Sequence, residues 1–405
     1  MALSKILKSI LEPKSSTVFS LVAGITVICN SSTDLYAQRI KLKKKANTVR
    51  YDSIRMDTSK VSKFYERNLN EVVVTSQRKE VNLTNTIMGL QKLTGVEIQR
   101  VPALMGEIDV VKAMQLLPGV QSTSEGSSGF NVRGGAADQN LILLDNSNIY
   151  NASHMFGFFS IFNNDAVKSV ELYKGNLPVK YGGRLSSLLN VELKDDAPKK
   201  VTGTGGIGLI SSRLTLQGPL GDKTTWLVSG RRSYADLFLR MSSDPEKKKE
   251  FFYFYDFNAK IAHRFSGKDK IGFNIYQGRD RFISSFGDIG YGNLVASTYW
   301  NHLFSENLLS RLSLNYSKYS YDLTWKVTDS KARWESDIQD LELRLDLNHI
   351  LSDKINLQYG ATTTYHMFNP AFISRAGYPY FRMKRSYALE HNLYLGAEQT
   401  VSKAL

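Results

Sequence analysis

Six histidines are the first candidates for acid–base or metal chemistry: His154, His263, His302, His349, His366 and His391. A catalytic zinc site needs ligands at fixed short spacing, as in H-E-x-x-H on one helix face. No such pair occurs, and no dense carboxylate cluster accompanies the histidines. They read as hydrogen-bonded side chains, not as metal ligands. No G-x-S-x-G elbow is present, and Cys29 is the single cysteine, which excludes a disulfide framework and a cysteine zinc site. Gly203-Thr204-Gly205-Gly206-Ile207-Gly208 satisfies G-x-G-x-x-G letter by letter. A phosphate cradle requires those glycines between a strand and a helix N-terminus. Here the continuation, Leu209 to Gly218, alternates like a strand, so the run reads as glycine-rich strand. The expectation is no catalysis, no cofactor and no metal.

The chain that must position any site has 405 residues, a formal net charge of +14 and 42% hydrophobic residues. That length allows two or three domains, and the apolar fraction argues against disorder. A basic chain raises the question of a nucleic-acid partner. Residues 1–70 carry 13 basic and 5 acidic groups, residues 71–198 carry 11 and 13, and residues 199–405 carry 28 and 20. The middle is slightly acidic and no basic stripe is sustained, so nucleic acid is not expected.

Residues 1–37 read as a signal peptide. Lys5, Lys8 and Lys14 precede the apolar run Thr17 to Cys29, and Ala37 offers a cleavage point. A lipoprotein signal at Cys29 fits less well, because Ile28 stands where a small residue is needed. Residues 38–70 read as a basic, solvated tether.

From Lys199 onward the chain alternates with period two. Leu341, Leu343, Leu345 and Leu347 share one face, and Glu342, Arg344, Asp346 and Asn348 share the other. Ile271, Phe273 and Ile275 repeat the pattern, as do Leu312, Leu314 and Tyr316. About nine such segments are legible, separated by turn signals such as Gly221-Asp222. Long alternating strands with Tyr and Trp near their ends match a transmembrane β-barrel, in which the apolar face meets lipid and the polar face lines the lumen. Residues 71–198 differ: a capping box at Thr94–Glu97, a helix within Ile108–Leu117 and strands at Leu141–Leu144, Val170–Tyr173 and Leu189–Leu193 make a small α+β domain. Asp145-Asn146 reads as a tight turn. The segments 282–295 and 369–380 read as aromatic, glycine-rich loops that could touch a substrate.

Several segments together carry a resemblance. They are Ile108 to Val120, Gly129-Phe130-Asn131-Val132-Arg133-Gly134-Gly135, Asp138 to Asp145, His154 to Phe159, Val170 to Gly175, and Tyr181 to Ser187. The chain resembles a TonB-dependent outer-membrane receptor, with wording similar to the large receptor class of Bacteroidetes-type bacteria. The resemblance implies an α+β plug domain followed by antiparallel transmembrane β-barrel strands. It implies active import in the outer membrane, with the N-terminus and plug toward the periplasm. The partners implied are the TonB energy-transducing protein, outer-membrane lipid and a transported substrate: siderophore, cobalamin, glycan or peptide. Glu71, Val72, Val73, Val74 and Thr75 align with the TonB box, a strand offered to a partner sheet edge. Arg133, Gly134 and Gly135 match a plug motif in which a charged side chain can anchor the plug to carboxylates of the barrel wall. Asp145, Lys174, Gly175, Tyr181, Gly182, Gly183 and Arg184 complete the plug motifs. A plug-filled barrel has about 22 strands, so about nine make an incomplete wall. A truncated or split reading frame is expected, with a non-functional fragment or a passive barrel protein as the alternative.

Overall fold

The computed structural model describes residues 89–103, 106–195, 199–245, 247–285, 287–327 and 330–401. All belong to one compact unit within Leu69–Leu405. The expected signal peptide, tether and TonB box lie outside the described residues, as do residues 402–405.

The first layer is the plug. In chain order it comprises β1 (Leu90–Thr94), α1 (Gly95–Ile98), α2 (Val110–Gln115), β2 (Val120–Ser122), β3 (Phe130–Val132), β4 (Asn140–Leu144) and β5 (Ser147–Asn148). Then come β6 (Ser153–His154), β7 (Phe159–Ser160), β8 (Val167–Lys174) and β9 (Ser187–Leu193). The main sheet has the order β1-β8-β9-β4-β5, with β4 and β9 parallel. Strands β8 and β9 are buried almost throughout, as expected of a sheet covered on both faces. One face packs under Ile98, Val111 and Met114 of the helices; the other holds Leu90, Leu143, Tyr173, Tyr181 and Leu188.

The local chemistry of the sequence builds these pieces. Thr94 and Glu97 form the expected capping box. Asp109 caps α2 by accepting from the backbone N–H groups of Val111 and Lys112 at 2.8 and 3.0 Å. The same buried carboxylate accepts from the Ser128 hydroxyl at 3.1 Å and the Ser160 N–H at 2.5 Å. Asp145 and Asn146 both take positive φ, 48° and 68°, and make the tight turn after β4.

The second layer is one large antiparallel sheet, the wall. It runs β10 (Thr202–Ile207), β11 (Ser211–Leu220), β12 (Thr224–Ser233), β13 (Phe251–Arg264), β14 (Asp269–Ile283) and β15 (Gly287–Ser305). It continues through β16 (Leu308–Val327), β17 (Ser330–Ser352), β18 (Ile355–Arg375), β19 (Tyr378–Arg382) and β20 (Ser386–Gln399). A short helix, α3 (Ala235–Arg240), interrupts the link between β12 and β13. Neighbours in sequence are neighbours in the sheet, except that β19 and β20 both pair with β18. They occupy successive stretches of one edge, since Phe372 pairs with Arg382 and Phe368 with Ser386. The sheet is open, ending at β10 and β20.

Eleven strands stand where the alternation made about nine legible. Part of the difference is local. The stretch 203–218, read as one glycine-rich strand, is a hairpin: the Gly208 N–H donates to the Ser211 carbonyl at 2.8 Å, and Ile207 pairs with Ser212. The Gly106 carbonyl lies 3.3 Å from where a Gly208 side chain would begin, so the plug backbone presses on that turn. The segments 282–295 and 369–380 are mostly strand, not loop: β14, β15, β18 and β19 run through them.

Asp109 is the polar pin of the plug, holding four donors. Asp109→Ala orphans them, and we expect a loss of about 3 kcal/mol of stability. The urea midpoint of the refolded full chain measures it.

Candidate functional site

The wall's inner face is polar, and the plug fills it. Asp256 on β13 and Asp280 on β14 project inward and clamp His154, with Nε2 2.7 Å from Asp256 and Nδ1 2.6 Å from Asp280. Two ionised carboxylates can only accept, so both ring nitrogens must carry hydrogen and the ring is an imidazolium. Burial alone would lower its pKa, but Asp256 and Asp280 outweigh it and raise it to about 9 from the ordinary 6.5. The ring stacks on Phe254 at 4.3 Å. Asp256 also takes Arg231 at 2.6 Å and the Tyr276 hydroxyl at 2.7 Å. Two cations and two carboxylates balance, which is what a buried cluster requires.

The chain after His154 is held under strain by the same groups. Met155, Phe156 and Gly157 all have positive φ: 52°, 56° and 105°. Such a run persists only where its surroundings fix it. The Met155 N–H donates to Asp280 at 2.8 Å, and the Phe156 N–H donates to the Tyr291 hydroxyl at 2.8 Å. Phe156 itself is exposed and meets Phe252, Phe282 and Tyr291 at ring distances of 5.7 to 5.9 Å.

Further pairs extend the seam. Lys260 reaches Asp145 at 3.0 Å, and Asn274 donates to the same carboxylate at 2.8 Å. Arg213 pairs with Asp165 at 2.8 Å. Lys270 and Lys168 hold Asp195 at 2.9 and 3.0 Å. Burial opposes ionisation of Asp195, but Lys260, Lys270 and Lys168 outweigh it and keep the carboxyl well below the usual range. Toward β17, Asp340 accepts from the Tyr150 hydroxyl at 2.5 Å and from Asn148 at 3.3 Å.

The residues singled out in the sequence fall into two groups. Asp145 and Tyr181 belong to the seam: the Tyr181 ring lies under Arg344 at 5.4 Å, and its hydroxyl donates to Asn146 at 3.2 Å. Beside them Gly182, Gly183 and Arg184 line an open cleft of about 220 Å³ between the plug and strands β16, β17, β18 and β20. Gly183 needs its positive φ of 80°, whereas Gly182 has ordinary backbone and open space around it. The second group is Arg133, Gly134, Gly135, Lys174 and Gly175. Arg133 is exposed and, among the described residues, pairs with no wall carboxylate. Its guanidinium lies near Gly89 and Gly175, on the plug itself. Lys174 donates to the Pro118 carbonyl at 2.9 Å, and burial and Arg133 lower its pKa. Gly135 leaves room for Ser186, whose hydroxyl would sit 2.3 Å from an added Cβ.

His154 was visible in sequence only as one histidine of six, and its partners lie more than 100 positions away. The other five sit on wall strands: His263 meets Thr224, His302 meets Asp269, His366 meets Asp340, His391 meets Thr363, and His349 lies against Tyr359. Among the described residues no group of three or more side chains could hold a metal ion.

This pairing of a small α+β plug with an inward-polar antiparallel wall has known counterparts. Residues 83–187 match the family profile described as TonB-dependent Receptor Plug Domain. Solved structures that share the fold include receptors and transporters. A mutant of the ferric enterobactin receptor from Pseudomonas aeruginosa aligns with TM-score 0.55 at 16% identity, over 71% of this chain and 50% of its own. The copper transporter OprC aligns at 0.58 and 12%, over 78% and 52%. The outer membrane transporter YddB from Escherichia coli aligns at 0.53 and 16%, over 76% and 54%. The chain thus spans about half the length of these proteins. No curated protein sequence matches it.

Two measurements probe the seam. His154→Ala leaves the Asp280 charge buried without a cation, and a loss of about 3–5 kcal/mol is expected in the full chain. Because the folded pKa of His154 is raised from 6.5 to about 9, its contribution is complete below pH 6.5 and lost as pH climbs through about 9. The urea midpoint should fall across that window in the native chain, and His154→Gln should flatten the fall.

Proposed function

We propose that this chain supplies the plug and the adjoining wall strands of a TonB-dependent outer-membrane transporter. The transporter would import a substrate too large or too scarce for passive pores. One observation carries the reading: the wall is inverted relative to a soluble sheet. Its inner face is polar and filled by the plug, while its outer face leaves Leu312, Leu314, Leu341, Leu343 and Leu345 exposed. Such a surface suits lipid. No described helix is long and apolar enough to cross a membrane, a fact that leaves strands free to do so.

In this reading TonB pairs with Glu71–Thr75 and pulls, powered from the inner membrane. A seam of ion pairs and hydrogen bonds suits a part that must move. Water can replace each broken polar contact as the lumen opens, whereas an apolar core has no such substitute. Lipid does not tolerate open sheet edges, so transport requires further strands joined to β10 and β20. The substrate stays open among siderophore, cobalamin, glycan and peptide. The names of the similar structures already differ, one taking ferric enterobactin and another copper. The motif wording favours the Bacteroidetes-type receptor class.

Val73→Pro removes an N–H that strand pairing needs. Titration of the purified TonB C-terminal domain against the full chain in micelles should show binding at least about tenfold weaker for this variant. Equal binding would remove Glu71–Thr75 from the role.

A further inference from the structure

We infer that the outer face of the wall carries a site for the phosphate-bearing headgroup of a membrane lipid, an inference that rests on the outer-membrane reading. The observation is a change of chemistry along a single strand face. On β16 the outward residues run Leu312, Leu314 and Tyr316, then Lys318, Ser320 and Asp322. On β17 they run Leu345, Leu343 and Leu341, then Gln339, Asp337 and Glu335. The register sets these changes side by side: Tyr316 opposes Leu341, Lys318 opposes Gln339, and Asp322 opposes Glu335. On β14, Ile271, Phe273 and Ile275 give way to Arg279 and Arg281 in the same way. The outward stretch of β16 from Leu308 to Tyr316, apolar except for Ser310, whose hydroxyl is bonded to the His302 carbonyl, has the length of a strand crossing hydrocarbon, about 9–11 residues. The charged collar therefore begins where the hydrocarbon ends. Lys318 lies two residues past Tyr316, roughly 7 Å along the strand.

A cavity of about 390 Å³ opens in this collar. Five cations line it, Arg279, Lys318, Arg333, Arg382 and Arg385, against the three acids Asp322, Glu335 and Asp337. The acids are already engaged. Arg279 and Arg281 hold Asp322, Arg333 holds Glu335 at 2.9 Å, and Asp337 accepts from Gln339 at 2.7 Å and Asn369 at 3.1 Å. Lys318, Arg382 and Arg385 have no carboxylate partner among the described residues. Arg382 is steadied by lying over the Phe372 ring at 4.8 Å. Three cations with no carboxylate partner around a cavity above an apolar band match an anionic headgroup whose tails lie along that band. Lys318, Ser320, Asp322, Arg333, Glu335 and Asp337 of its lining all carry outward parity, on the face opposite the plug, where a substrate in the lumen would not reach them.

The test floats the full chain and a Lys318→Gln, Arg382→Gln, Arg385→Gln variant with vesicles. The vesicles are phosphatidylcholine alone or phosphatidylcholine doped with phosphatidic acid, with and without inorganic phosphate. Both proteins should float with either vesicle. The native chain should retain phosphatidic acid through detergent extraction, and the variant should bind it about a hundredfold more weakly. Equal retention by the variant overturns the site. Full displacement by inorganic phosphate overturns the lipid as its occupant. Failure to float with any vesicle strikes the outer-membrane reading instead; floating without enrichment strikes this inference alone.

Discussion

The clamp of Asp256 and Asp280 on His154 is the contact on which the arrangement of plug and wall depends. Removing charges from water is expensive unless each finds a partner. Here the partners come from different layers: the wall gives two carboxylates and Arg231, and the plug gives the imidazolium. The same logic repeats with the signs exchanged, where plug Asp145 and Asp165 meet wall Lys260 and Arg213. Neither layer satisfies its buried charges alone. The slight acidity of residues 71–198 and the basicity of residues 199–405 are the two sides of that fit.

The wall was legible because its period is two and its faces differ. The leucines at 341, 343 and 345 announce a strand whatever its neighbours do. The capping box at Thr94, the cap at Asp109 and the turn at Asp145 were legible because each is a short-range device. What escaped was set by backbone geometry or by distance. The hairpin at Gly208 hid inside a continuous alternating pattern, since a tight turn within glycines changes nothing in the periodicity. The exposed setting of Arg133 was not legible either, because it depends on the fold around Gly89 and Gly175. The seam was illegible for a plainer reason: no sequence pattern links position 154 to positions 256 and 280.

One strand of the wall thus answers to three surroundings. Its inward residues face the plug, its outward residues are first apolar, and further along the same outward parity carries charge. The β-bulge between Glu335 and Asp337 is where strand β18 gains an extra residue, which brings Phe372 round to the collar beneath Arg382. A one-residue slip anywhere below it would exchange the inward and outward sets altogether.

The separations along the chain imply an order of assembly. The main wall strands join through hairpins and form from contacts near in sequence, whereas the plug sheet pairs Leu90 with Tyr173, 83 positions apart. The seam alone joins residues 102, 126 and 190 positions apart. Contacts of that span carry the largest loop-closure entropy and form last. The seam therefore ties the curvature of the wall to the shape of the plug: the buried charges of either layer are matched only when the other is seated against it.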